Sequence, residues 1–306
     1  MKALVTGGAG FIGSHLVDAL VADGHEVHVV DDLSTGRLAN LEPALEQGAE
    51  LHTEDVTDAA WMADLAAIIR PEVVFHLAAQ LDVRRSVDDP AFDAAVNVTG
   101  TAAVLEAARR SGARRLVLAS TAAVYGQAPE LPARETGPVA PLSPYGASKA
   151  AAESYLALYA RLHGLPTLAL RMANVYGPRQ DPDGEAGVVA IFAAAAAAGS
   201  PAVVFGNGRQ TRDYVHVDDA VDAFLAAGRS SIGGVLNVST GRETSVREIA
   251  DRLHVVVEHA PARHGELLRS CLDPSAARLA LGWRARISLA DGLGRLRVPA
   301  PLQLTA

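Results

Sequence analysis

The run Gly7-Gly8-Ala9-Gly10-Phe11-Ile12-Gly13 leaves few folds open to this chain. It follows a short apolar strand, Lys2–Thr6, and leads into a helix predicted from about Ser14 to Ala22. A second strand, Glu26–Val30, then ends in Asp31-Asp32. In a strand–turn–helix of this kind the first glycine serves the tight turn and the second lets a pyrophosphate approach the backbone. The third allows close packing of helix on strand. Gly7, Gly10 and Gly13 hold those places, with Phe11 and Ile12 at the helix start. Asp31 stands 18 residues past Gly13, where a carboxylate accepts the adenosine ribose hydroxyls and repels a 2′-phosphate. The expected cofactor is therefore NAD and not NADP; Arg37 is the only nearby cation that argues otherwise.

The same logic extends along the first third of the chain. Asp32, Ser34, Thr35 and Gly36 continue the loop around that ribose. Asp55-Val56 closes a strand over Glu50–Glu54, where Asp55 either meets the adenine amine or caps a helix. Val73–Leu77 runs into Ala78-Ala79, and small residues at a strand's end let a cofactor lie against the backbone. Leu77, Ala78 and Ala79 join the cofactor group, whereas His76 reads as a satisfied core histidine. A helix is predicted over Phe92–Ser111; Asn97 is locally disfavoured inside it, so a packing or hydrogen-bond role beside the cofactor is assigned to it. Strands alternating with helices give the fold class: α/β, a doubly wound parallel sheet.

The chemistry is concentrated in Ser143-Pro-Tyr-Gly-Ala-Ser-Lys149. Residues four apart share one helix face, so Tyr145 and Lys149 are neighbours on the helix predicted over Pro144–His163. An ammonium beside a phenol favours the phenolate, so Lys149 is expected to depress Tyr145 toward neutral pH, where it acts as acid and base. Of 27 Lys and Arg residues only Lys2 and Lys149 are lysine. In so arginine-rich a chain, a lysine marks a task that needs a compact ammonium. Thr121 follows the strand Arg115–Ser120 at its C-terminal end, where open α/β sheets place their chemistry. Further on, Arg212 offers a fork for two phosphate oxygens.

Composition removes other classes. A net charge of −8 disfavours a nucleic-acid surface. One cysteine, Cys271, excludes a disulfide framework and a thiolate metal site; it reads as a buried apolar residue, and no metal is expected. No segment reaches the ~18 apolar residues of a membrane span, and Lys2–Val5 already reads as a strand, so a cytoplasmic protein without a leader is expected.

Taken together, Thr6–Gly13, Asp31, Asp55-Val56, His76–Ala79, Asn97, Ser120-Thr121, Tyr145-x-x-x-Lys149, Arg171-x-x-Asn174-x-Tyr-Gly-Pro178 and Arg212-Asp-Tyr-x-His-Val-x-Asp219 resemble the extended short-chain dehydrogenase/reductase superfamily. Within it, the chain most resembles the UDP-glucose 4-epimerases and related nucleoside-diphosphate-sugar epimerases. Related dehydratases carry Asp-Glu after the threonine, and decarboxylases usually have a Glu there. Here Ala122 and Ala123 stand in those places. The resemblance implies inversion at C4 of a UDP-sugar, catalysed by Thr121, Tyr145 and Lys149 with NAD retained. It also implies that Asn174, Arg212 and Arg263 hold the substrate diphosphate, that Phe205 lies near the uracil, and that Glu266 meets the uridine ribose where the family often has Asp.

Small residues at the place of Ser270 resemble enzymes that also admit N-acetylated sugars. UDP-GlcNAc and UDP-glucuronate epimerases, and a net sugar-nucleotide oxidoreductase, stay open as alternatives. The resemblance further implies a Rossmann domain over residues 1–175 joined by 213–240, and a smaller sugar-nucleotide domain over 176–212 and 241–306. It implies a homodimer through helices near 92–111 and 144–163, the second presenting Tyr155, Leu156, Leu158, Tyr159 and Leu162. Ser245–Pro261 looks shorter than the family pattern by about two to three helical turns, so a stunted helix Arg247–His254 is expected to run directly into strand Val255–His259.

Overall fold

The computed structural model describes residues 1–182, 187–262 and 267–296. The first six strands are β1 (Lys2–Thr6), β2 (Glu26–Val30), β3 (Glu50–His52), β4 (Val73–His76), β5 (Arg115–Thr121) and β6 (Thr167–Met172). Then follow β7 (Asn174–Tyr176), β8 (Ala202–Phe205), β9 (Thr211–His216), β10 (Gly234–Val238), β11 (Glu243–Ser245) and β12 (Val257–Ala260). Among the described residues the main sheet has seven strands in the order β10-β6-β5-β4-β1-β2-β3, all parallel. The order reverses between β1 and β4, which opens a crevice at their C-terminal ends.

The central strands are buried on both faces, which is why β1, β4 and β6 read as continuous apolar runs and do not alternate. One face carries Leu16, Val17 and Leu20 of helix Phe11–Ala22 together with Phe224 and Ala227 of helix Val217–Arg229. The other packs Met62 and Leu65 of helix Ala59–Ile69, Val104 and Leu105 of Thr101–Ser111, and Ala152 and Leu156 of Pro144–His163. A third apolar cluster, including Tyr176, Phe192, Tyr214 and Ile249, forms the core of the C-terminal lid. There β9 lies between β11 and β7, and β8 pairs with β12. The boundaries expected at 175 and 213 fall inside β7 and β9, which leave the main sheet to build this lid.

One local feature differs from the sequence reading. The helix expected over 92–111 is three pieces: Pro90–Ala94, a wide π-helical turn over Ala95–Gly100, and Thr101–Ser111. The wide turn carries Asn97 inward to the chain leaving β4. Gly100 sits so close to Val56 that an added Cβ would lie 3.1 Å from it. The short lid helix expected over Arg247–His254 is found at Val246–Leu253, with β12 starting at Val257; the Ser245 side chain accepts from Glu248 N–H and His254 ends the helix in the left-handed region. It is capped at both ends and buries Val246, Ile249 and Ala250, which compensates for its length.

Candidate active site

The sequence places a glycine-lined crevice and a Thr–Tyr–Lys constellation at one end of the sheet, and packing explains why they meet. Gly7 has φ +70°, and a Cβ on it would come 2.5 Å from Ala78 N. A Cβ on Gly13 would stand 2.1 Å from Gly7 O, so the turn, the helix start and the Leu77–Ala79 segment close together only as glycines permit. Gly10 is the N-cap of helix Phe11–Ala22 and no side chain caps that terminus. The first N–H groups of the helix, those of Phe11, Ile12 and Gly13, are therefore available to an anion.

Asp31 is buried at the end of β2, its two carboxylate oxygens accepting from Ala9 N at 2.8 Å and Leu33 N at 2.9 Å. Burial raises its pKa and these backbone donors pull it back. Asp31 thus also shapes the glycine turn, and Gly36 fits against its carboxylate, where a Cβ would be 2.6 Å away. Asp32 accepts from Ser34 N and Oγ at 2.9 and 2.6 Å, ordering the loop that continues to Thr35. Asp55 is exposed and closes a turn onto Thr57 N at 2.8 Å, while the helix cap that follows is Asp58. Val56 is buried. Arg37 pairs with Asp181 at 2.5 Å, which occupies the cation that could have favoured a 2′-phosphate. The uncapped helix start, the glycine contacts and the Asp31 carboxylate all fit a dinucleotide with a free ribose.

Thr121 ends β5, and its hydroxyl accepts from Ala123 N at 3.1 Å, capping a 3-10 turn over Ala122–Tyr125. The helix Pro144–His163 docks on that turn. Ser143 caps it through Gly146 N at 3.2 Å and Pro144 starts it. Gly146 is pressed against Ala123 O, which a Cβ would approach to 2.7 Å. This contact sets Tyr145 beside Thr121, whose side chain draws the phenol pKa down.

Lys149 is buried one turn further on, its ammonium brought down to about 8 by burial although Glu153 and Asp93 pull it up. One expectation is corrected here. Tyr145 lies above the ordinary phenol range: burial lifts it, the Thr121 bond lowers it, and Asp93 lifts it further. The depression expected from Lys149 is not found, because desolvation dominates the phenol.

His76 is fully buried between Thr6 Oγ1 at 2.7 Å and Thr101 Oγ1 at 3.0 Å, a satisfied core histidine. Burial and the Lys149 charge hold its pKa down at about 3. Between about pH 6.5 and pH 3 an unfolded chain takes up a proton here that the folded chain does not, so stability falls as pH drops through that window. His76→Gln is expected to flatten that part of the pH dependence of the urea midpoint; an unchanged slope would show that other groups set it.

Asn97 does not face outward. It accepts from Gln80 N and donates to Gln80 O, both at 2.9 Å, and donates to Asp93 Oδ1 and Ser148 Oγ at 3.1 Å. Its hydrogen-bonding capacity is filled by the protein, so it positions the strand end and the catalytic helix. Sequence reasoning missed Asp93, and it missed a second buried set beneath the reaction centre. Ser120 Oγ donates to Glu153 Oε1 at 2.5 Å, and Arg171 forks onto Glu153 at 3.0 and 2.6 Å. The Arg171 guanidinium lies 4.6 Å from the Tyr125 ring centre, and Tyr125 donates to Asn237 Oδ1 at 2.7 Å. Glu153 stands four residues past Lys149, so the same spacing that singles out Tyr145 and Lys149 carries a signal for it.

Of the positions expected to meet substrate, those among the described residues lie on the lid. Asn174 begins β7, exposed, and pairs with Tyr214 of β9. Arg212 lies on β9, half-buried, its guanidinium donating to Thr211 O at 2.8 Å. Ser270 runs beside β9, its N–H donating to Thr211 O at 3.2 Å. Phe205 ends β8, its carbonyl accepting from the Gln210 side chain at 3.0 Å. Arg263 and Glu266 lie outside the described residues. Asp213 is buried and holds Thr240 and Gly241, an orienting role, with Cys271 buried against it.

Residues 3–239 match the family model described as the NAD dependent epimerase/dehydratase family. The chain is 51% identical to a UDP-glucose 4-epimerase of Mycolicibacterium smegmatis, over 96% of this chain and 97% of that protein. It is 42% identical to the UDP-glucose 4-epimerase of Thermotoga maritima solved with UDP-glucose, with TM-score 0.92 and 97% of each chain covered. It is 44% identical to the Thermus thermophilus UDP-glucose 4-epimerase complexed with NAD, with TM-score 0.89 and the same coverage. The fold agrees with these likenesses, and the chain belongs to the NAD-dependent epimerase/dehydratase family.

Proposed function

We propose that this protein is a UDP-glucose 4-epimerase that interconverts UDP-galactose and UDP-glucose through a transient 4-keto sugar. The observation that carries this reading is Tyr145 beside Thr121 with Lys149 one turn away, while Ala122 and Ala123 supply no further acid or base. Gly7, Gly10, Gly13, Asp31 and Lys149 hold NAD, which when bound supplies a reversible hydride acceptor and, oxidised, a positive charge that favours the Tyr145 phenolate.

Tyr145 takes the proton of the sugar 4-hydroxyl, and Thr121 holds the 4-oxygen by hydrogen bond. Asn174, Arg212 and Arg263 keep the diphosphate in place while the keto sugar presents its other face. Tyr145 then returns the proton. No second proton-transfer group is needed, which is why this set suits inversion and not elimination. Ser270, small and beside β9, supports a sugar pocket that also accepts N-acetylated hexoses.

The protein works as a cytoplasmic homodimer. The helix Pro144–His163 leaves Tyr155, Leu158 and Leu162 exposed, at 39%, 38% and 65%, an apolar face suited to a second copy. Leu156, expected on that face, is instead buried in the core, and Tyr159 is half-buried, its hydroxyl 3.3 Å from Glu106. No helix among the described residues is long and apolar enough to cross a membrane.

Purified protein given UDP-galactose without added cofactor is expected to form UDP-glucose by chromatography. UDP-GlcNAc is expected to be epimerised in the same assay. No conversion of UDP-galactose even with NAD added would sink the galactose assignment.

A further inference from the structure

Away from the crevice, on the outer part of the sheet, β2 and β3 pair in parallel with His28 beside Glu50 and Val30 beside His52. Residues two apart on a strand share a face. Glu26 and His28 of β2 therefore lie on the same side of the sheet as Glu50 and His52 of β3. There His28 Nδ1 is 3.3 Å from His52 Nε2 and 3.4 Å from Glu50 Oε2. All three ligand atoms lie within 4.8 Å of one another. Around a tetrahedral ion with bonds of about 2.0–2.1 Å, neighbouring ligand atoms stand about 3.4 Å apart, so two of the separations already match.

The surroundings are those of a held site. His28 Nε2 lies 3.3 Å from Glu26 Oε1, and Glu26 in turn pairs with Lys2 at 2.9 Å. A carboxylate on the far nitrogen fixes the tautomer and turns the Nδ1 lone pair toward the other two ligands. The His28 and His52 rings stack at 5.5 Å, and Trp61 meets His52 edge-on at 6.2 Å. His28 is only 7% exposed, so packing sets these rings.

We propose that His28, Glu50 and His52 bind a divalent transition-metal ion of the zinc type, with water in the fourth position. Two imidazoles and one carboxylate suit such an ion, and an all-oxygen cation such as magnesium suits them poorly. The sequence conceals the site because its ligands sit on different strands, and only the β2–β3 register joins them. The ion clamps β3, a three-residue edge strand, to the sheet. His52 O also accepts from Asp31 N at 3.2 Å, so the clamp abuts the residue assigned to the cofactor ribose.

The test uses the intact protein with whatever cofactor it retains, stripped with chelator and desalted. Calorimetric titration with Zn²⁺ alone is expected to show one equivalent per chain. Free zinc about 100-fold above Kd is expected to raise Tm by about 5 °C. Co²⁺ in its place is expected to give the intense visible bands of a tetrahedral site. Glu50→Gln and His52→Gln should each weaken Zn²⁺ binding at least about 10-fold while leaving the metal-free circular dichroism unchanged. Absence of stoichiometric binding, or binding untouched by both substitutions, overturns the proposal and leaves the contact between the two imidazoles as an ordinary hydrogen bond.

Discussion

Tyr145→Phe is expected to lower kcat for UDP-galactose about 100- to 10,000-fold, the range a positioned general acid–base contributes. KM is expected to change little, because Asn174, Phe205 and Arg212, assigned to the nucleotide, sit on β7, β8 and β9 and not on the helix of Tyr145. The substitution keeps the ring and removes only the hydroxyl assigned as the base. Melting temperature is expected to stay within a few degrees, so a loss of activity cannot be attributed to unfolding. Thr121→Val is a useful companion, since it removes the hydroxyl assigned to the sugar 4-oxygen while leaving a phenol to carry the proton, and it should cost less. Near-normal turnover in Tyr145→Phe would falsify the assignment of the base.

The features carried by short spacing were legible in the sequence. The glycine turn, Tyr145 and Lys149, and the buried strands each follow from periods of a few residues, and the helix Pro144–His163 announces both ends by Ser-Pro and Gly164. What escaped depends on pairs far apart in the chain. The partners of Asn97, namely Gln80, Asp93 and Ser148, lie up to 51 residues away and carry no local signal. The π-helical turn that points it inward leaves no periodic signal, because apolar spacing on either side still reads as one helix. The raised Tyr145 pKa also depends on depth of burial, which an i, i+4 spacing does not encode.

The set formed by Ser120, Glu153, Arg171, Tyr125 and Asn237 makes the second strong prediction. It links the ends of β5, β6 and β10 to the catalytic helix: Ser120 is on β5, Arg171 on β6, Asn237 on β10 and Glu153 on the helix. Asn237 extends it by donating to Ala133 O at 3.0 Å and Asp273 O at 3.2 Å. Glu153 and Arg171 are 9% and 4% exposed, so removing one charge strands the other in a low-dielectric interior.

Glu153→Ala is therefore expected to destabilise the fold by about 3–5 kcal/mol, the usual cost of breaking a buried pair on one side. Replacing both residues, as Glu153→Leu with Arg171→Met, is expected to recover much of that stability, since an apolar pair of similar size often costs little. Activity should not recover with it, because Ser120 still lacks its acceptor and Tyr125 its guanidinium. A pH profile separates position from mere stability. Glu153 raises the Lys149 pKa, and the ammonium is present below that pKa and lost above it. Without Glu153 the ammonium is lost at lower pH, so the alkaline limb of kcat should move toward acid in any variant that still folds. Urea denaturation within about 1 kcal/mol of the parent for Glu153→Ala, or an alkaline limb that stays in place, would show that this pair does not support the reaction centre.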